Sequence, residues 1–147
     1  MNGVPDDEQA LAERVVSAMM AKDAFSRALG IEVVEVRPHA ATVRLVVRDD
    51  MLNGFGLCHG GVPFSLADSA LAFASNTHGR VTVSIENTIT YPRKIVAGDS
   101  LVASAVEESS TNRLGFYRVT VHRNEEIVAL FRGTVYKTSQ AFFPDIE

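Results

Sequence analysis

Between residues 81 and 90 the chain reads VTVSIENTIT, with apolar and polar side chains alternating. Val81, Val83, Ile85 and Ile89 fall on one face, and Thr82, Ser84, Glu86, Thr88 and Thr90 on the other. This period of two predicts a strand with one side against a core, ended by Pro92. Three more strand-like runs follow: SLVASAVEES, GFYRVTVHR and EIVALFRGTVYKT. A tight turn at Asn124-Glu125 joins the last two. Upstream, IEVVEV and ATVRLVVR predict two strands meeting at Pro38-His39. The period is different near the N-terminus. Leu11, Val15, Ala18 and Met19 recur at helical spacing, predicting a helix from Asp6 to Lys22. Asp6 or Asp7 caps it, and the acids of its first turn suit the helix dipole. A short second turn, AFSRALG, stops at Gly30.

Residues 49–61, DDMLNGFGLCHGG, are glycine-rich and predict a loop. The stretch from Gly61 to Asn76 then reads as a helix that is apolar or small nearly all round, which predicts burial. Strands in succession with short links imply an antiparallel sheet. The economical architecture is therefore α+β: one long central helix wrapped by a curved antiparallel sheet, with an N-terminal helical extension over about 6–28. The tail SQAFFPDIE has no clear period and is expected to be flexible from about 139 to 147.

Composition narrows the classes. The 147 residues are 46% apolar, enough for one core, so a single domain over 1–147 is expected. The net charge of −4 comes with no basic cluster, which argues against a nucleic-acid partner. No apolar run reaches the roughly 18–20 residues of a membrane span, and MNGVPDDEQ carries no secretory apolar region. The lone Cys58 excludes an intramolecular disulfide. These features lead us to expect a cytoplasmic protein without a membrane partner.

One residue breaks the buried helix: Asp68, a carboxylate among apolar neighbours. It faces solvent at an edge, pairs with a base, or lines a cavity and does chemistry. The loop before it bears on that choice. His59-Gly60-Gly61 stands where the helix begins, and helix N-termini present free N–H groups and partial positive charge. Two glycines let a substrate approach, and N–H donors at that point have the makings of an oxyanion hole. Gly61 and Asp68 are seven residues apart, or roughly 10 Å along a helix. If they act on one carbonyl, Asp68 of one copy meets Gly61 of another across a two-fold interface.

The stretch NGFGLCHGGVPFSLADSALAFASN resembles the signature of the PaaI-type thioesterases, the phenylacetic acid degradation group of the hotdog-fold superfamily. The match covers the Asn, the Gly three residues on, His-Gly-Gly, and Phe-x-Leu-Ala-Asp. AGDSLVASA and the strand pattern from about 31 to 137 extend it. The resemblance implies a hotdog fold and hydrolysis of acyl-CoA thioesters, with phenylacetyl-CoA or its ring-hydroxylated forms as substrates. It implies Asp68 as catalytic carboxylate, Gly61 as oxyanion donor, His59 as loop histidine, and Asn53 as the residue positioning water or the thioester carbonyl. No cofactor is implied, since coenzyme A is part of the substrate. The family also suggests a homodimer with sites at the interface, and a homotetramer as a dimer of dimers. This chain departs from the pattern at YPRKIVAGD, where Arg93 and Lys94 add two charges.

Asp68 either activates water as a general base or attacks to give an anhydride, and the residues alone leave both open. Gly60, Phe55, Phe64, Arg93 and Lys94 are candidate substrate contacts, and Arg80 and Arg113 further candidates for the CoA phosphates. Cys58 is expected to be a small packed residue rather than a nucleophile. His59, Asp68 and His78 follow no zinc spacing, so no metal is expected. Two alternatives stand beside hydrolysis: a hotdog-fold hydratase or dehydratase, and an acyl-CoA-binding module without turnover.

Overall fold

A computed structural model describes residues 6–144. Two helices, α1 (Asp6–Lys22) and α2 (Ala24–Ala28), precede strands β1 (Glu32–Arg37) and β2 (Ala40–Val46). The long helix α3 (Gly61–Asn76) follows, then β3 (Arg80–Thr90), β4 (Ser100–Ser110), β5 (Leu114–Arg123) and β6 (Glu126–Ala141). The six strands form one antiparallel sheet in the order β1-β2-β4-β5-β6-β3, so β1 and β3 are its edges. Helix α3 packs against strands β2 to β6. Leu66, Ala67, Ala70, Leu71, Phe73 and Ala74 are fully buried against Val43, Leu101, Ala103, Val119, Val121 and Phe131. Alanines on both surfaces let helix and sheet come close. Among the described residues, no helix is long and apolar enough to cross a membrane.

Both α1 and α3 have the bounds predicted for them, but the buried stripe of α1 is rotated. Ala12, Val15 and Val16 are buried, while Leu11, Ala18 and Met19 are only partly covered. The face assignment in β3 also needs correcting. Its pairing with β6 shifts register between Ser84 and Glu86, and such a bulge exchanges the faces of a strand. Thr82 is buried before the bulge and Ile89 packs on the core after it, whereas Val83 and Ile85 are 49% and 59% exposed. The tail is ordered further than expected. Residues 139–141 continue β6, Phe142 donates its N–H to the Gly79 carbonyl (2.7 Å), and the Arg14 guanidinium stacks on Phe143. Residues 145–147 lie outside the described residues.

One glycine is required by packing where α3 meets the sheet edge. Gly133 pairs with Asn87 on β3, and a Cβ there would strike the Leu71 side chain and lie 2.8 Å from Asn87 Oδ1. Gly133→Ala is expected to cost about 1–3 kcal/mol of stability by overpacking. At Gly54 an added Cβ meets nothing within 4 Å, so Gly54→Ala should change stability by less than about 0.5 kcal/mol. Urea unfolding of both variants beside the wild type checks this.

Candidate functional site

The loop into α3 is tied by its own side chains. Asn53 Oδ1 accepts the N–H groups of Phe55 (2.9 Å) and Leu57 (3.2 Å), and the Asn53 N–H donates to the Leu57 carbonyl (2.7 Å). With Oδ1 so committed, the Asn53 NH2 is the end of the amide that makes no hydrogen bond among the described residues. The Cys58 and His59 N–H groups anchor the loop on the carbonyls of Ile95 and Met51, each at 2.8 Å. His59 Nδ1 accepts the Gly61 N–H (2.9 Å), which places the proton of the neutral ring on Nε2. The Tyr91 hydroxyl donates to the Gly60 carbonyl (2.7 Å). These contacts explain the two glycines. A Cβ on Gly60 would sit 3.1 Å from the Tyr91 oxygen, and one on Gly61 would sit 3.1 Å from His59 Nδ1. Among the described residues, no hydrogen bond uses the Gly60 N–H.

Asp68 lies two turns further along α3, half-buried. It lines a cavity of about 300 Å³ with Met19, Leu71, Ala72, Val83, Ser84 and Val135. Its Oδ1 accepts a hydrogen bond from Asn87 Nδ2 (3.3 Å). Burial holds its pKa above the ordinary carboxylate value; the Asn87 hydrogen bond opposes the rise and the charge of Asp23 adds to it. The glycine turn opens elsewhere. His59 and Gly61 border a separate cavity of about 390 Å³, with Phe25, Leu29, Arg48, Met51, Val62 and Ser65. The structure thus brings His59, Gly60 and Gly61 together with the Asn53 loop, and leaves Asp68 of the same chain on another opening.

The remaining candidates divide. Phe55 is 90% exposed at the loop tip. Phe64 packs edge-to-face on Phe131, with ring centroids 5.4 Å apart. Arg93 pairs with Glu126 (2.9 Å) and donates to the Ile127 carbonyl, and Lys94 is exposed. Arg80 spans the carbonyls of Asn112, Lys137 and Thr138, which is work inside the fold. Burial, with the charge of Asp99, pushes the Cys58 thiol up to about 11, so it is protonated at neutral pH. Tyr91 and Asn87 escaped sequence reasoning. Asn87 stands on β3 and Tyr91 just past its end, and only the bulge and the end of the strand aim them at the site.

A long helix enclosed by a six-stranded antiparallel sheet, with a glycine turn at its N-terminus and an acid two turns in, defines a hotdog-fold protein. The family model described as thioesterase superfamily matches residues 55–130, and the chain belongs to that superfamily. It is 40% identical over 121 residues to the acyl-coenzyme A thioesterase PaaI of Escherichia coli K12, covering 82% of this chain and 86% of that one. A putative esterase of Archaeoglobus fulgidus is 38% identical over 135 residues, covering 91% and 88%. The solved structure of the E. coli PaaI protein from the phenylacetic acid degradation operon superposes with a TM-score of 0.88 at 36% identity, over 90% of this chain and 97% of that one.

The raised pKa of Asp68 has a consequence for stability. The folded chain holds that proton more tightly than the unfolded chain, so this group lowers stability as pH climbs from the ordinary carboxylate range through the raised value. Above that value the penalty is fully present. Asp68→Asn should therefore be at least as stable as the wild type at pH 7, with the difference shrinking as pH falls into the carboxylate range. Thermal unfolding of both proteins across pH measures it.

Proposed function

We propose that this chain is an acyl-CoA thioesterase of the PaaI type, acting on aryl-acetyl-CoA thioesters of the phenylacetyl or hydroxyphenylacetyl kind. The observation that carries the reading is Asp68. A half-buried carboxylate with one amide partner, lining a cavity on the central helix of a thioesterase-superfamily chain, is a poor structural element and a good base. The substrate class rests on the E. coli relative, whose structure is described as coming from the phenylacetic acid degradation operon.

In this reading Asp68 takes a proton from water, and the water oxygen adds to the thioester carbonyl. The oxyanion so formed accepts the Gly61 N–H, which changes partner from His59 Nδ1. The C–S bond then breaks, the pair of electrons leaves with sulfur, and the proton held by Asp68 returns to the CoA thiolate. No strong acid is needed, because a thiol ionises near pH 8.5. Direct attack by Asp68 is the other route the same geometry allows. The Asn53 NH2 is the group that holds the water or the carbonyl. Lys94 is free to meet a CoA phosphate, whereas Arg93 must first leave Glu126.

Since Gly61 and Asp68 face separate cavities, the working site takes the turn from one copy and the acid from another. The edge strand β3 supports the pairing. Its outer positions Val83 and Ile85 are exposed apolar residues on an unpaired edge, and antiparallel joining of two such edges covers them and extends the sheet. A homodimer with two sites follows, and its own pairing gives the homotetramer.

CoA release read with a thiol reagent, over aryl-acetyl and straight-chain acyl-CoAs, tests the reaction. An aryl-acetyl-CoA should be hydrolysed, and Asp68→Asn should lose about a hundredfold or more while staying folded. No thiol from any substrate would sink the reading. For the assembly, Ile85→Asp should lower the mass measured by light scattering and abolish turnover together. An unchanged mass would place the interface elsewhere.

A further inference from the structure

The side chain of Asn87 has a contact set that packing does not explain. The bulge between Ser84 and Glu86 turns it inward, toward α3, where unbroken alternation from the buried Thr82 would have turned it out. Its Nδ2 donates to Asp68 Oδ1 (3.3 Å) and to Ser84 Oγ (3.4 Å). Its Oδ1 is buried and, among the described residues, accepts from nothing. That oxygen lies in the space left by Gly133, where a Cβ would be 2.8 Å away. A leucine of similar size would fill the place with no orphaned acceptor. The polar work of this amide is therefore done by Nδ2 alone, on Asp68 and Ser84.

We propose that Asn87 is a positioning residue that binds Oδ1 of Asp68 and leaves Oδ2 as the oxygen that acts on water. Among the described residues Oδ2 accepts no hydrogen bond. A carboxylate free to rotate would offer either oxygen in many directions; one tethered by an N–H from the neighbouring strand offers one. The same N–H favours the ionised form that a base must have, against burial and the charge of Asp23, the other charged group acting on Asp68. The proposal deepens the thioesterase reading and rests on it.

The test is the pH profile of kcat/KM for wild type, Asn87→Leu and Asn87→Ala, with thermal unfolding of each. The activity rises with pH as Asp68 ionises. Losing the Asn87 donor should move that rise to higher pH and lower the plateau about tenfold or more. Asn87→Leu, freed of the orphaned oxygen, should unfold no earlier than the wild type. Asn87→Ala only deletes atoms, and serves if the leucine variant does not fold. A rise at the wild-type pH with a plateau within about twofold, in a folded variant, overturns the proposal. Carbon NMR titration of the Asp68 carboxyl, assigned by its loss in Asp68→Asn, needs no turnover. A titration displaced in the variants of a protein that hydrolyses no thioester would keep the tether and discard the thioesterase reading. An undisplaced titration in an active enzyme would do the reverse.

Discussion

A helix is a rigid spacer, and the roughly 10 Å that it keeps between Gly61 and Asp68 governs the rest of this molecule. The donor end of α3 and its acid cannot converge on one carbon within a chain, and the two cavities bear this out: one borders His59 and Gly61, the other Asp68. In the proposed dimer, everything that fixes α3 therefore fixes half of each site. The sheet encloses it from β2 to β3, the alanines seat it closely, and the buried Ser26–Ser69 hydroxyl pair (2.7 Å) ties it to α2. In the proposed dimer, the exposed β3 edge is where a second copy brings the missing half.

Placing an acid on that enclosed helix has an energetic cost that the neighbourhood offsets only in part. Asn87 supplies one hydrogen bond, Asp23 adds a repulsive charge, and no base pairs with Asp68 among the described ion pairs. The offset brings a second cost, since the Asn87 carbonyl is buried without a donor. Gly133 is a further concession, a strand glycine that leaves room for Asn87 and Leu71. Three departures from good packing practice thus meet at one point on β3, β6 and α3. Clustered local costs of this kind mark a functional site more firmly than any one of them.

Much of this was legible in the residues, for reasons that differ by element. The bounds of α1 and α3 follow from the acids of one first turn, the glycines before the other and recurring apolar residues, all local signals, although Asp6 and Asp7 lie inside α1 rather than capping it. The acid stood out because nothing else in α3 is charged. The faces of β3 were not legible, because a bulge depends on how two strands pair and leaves no mark on the alternation of one. That same bulge hid Asn87, which reads in sequence as one polar residue among threonines. The segment after β6 was hidden for another reason: Phe142 and Phe143 have no period, yet an N–H on the Gly79 carbonyl and a stacked Arg14 dock them. Tertiary partners ordered what local pattern could not.

The glycine pair shows a subtler limit. Read from sequence, Gly60 and Gly61 make room for a substrate. In the structure the room is taken by the protein itself, with Tyr91 against Gly60 and His59 against Gly61. The turn is a clamp with two polar fastenings, and one of them, Gly61 N–H on His59 Nδ1, engages the donor that the proposed reaction assigns to the oxyanion. That arrangement changes the energetics of the proposed reaction. A bare N–H would be stripped of water when the site closes; one already held by an imidazole nitrogen exchanges one acceptor for another, at little net cost. The gain then comes mainly when the carbonyl oxygen becomes an anion, since a charged acceptor outbids a neutral ring nitrogen and a neutral carbonyl does not. A donor held back by a neutral acceptor is selective for the transition state, which is the condition under which binding energy accelerates a reaction.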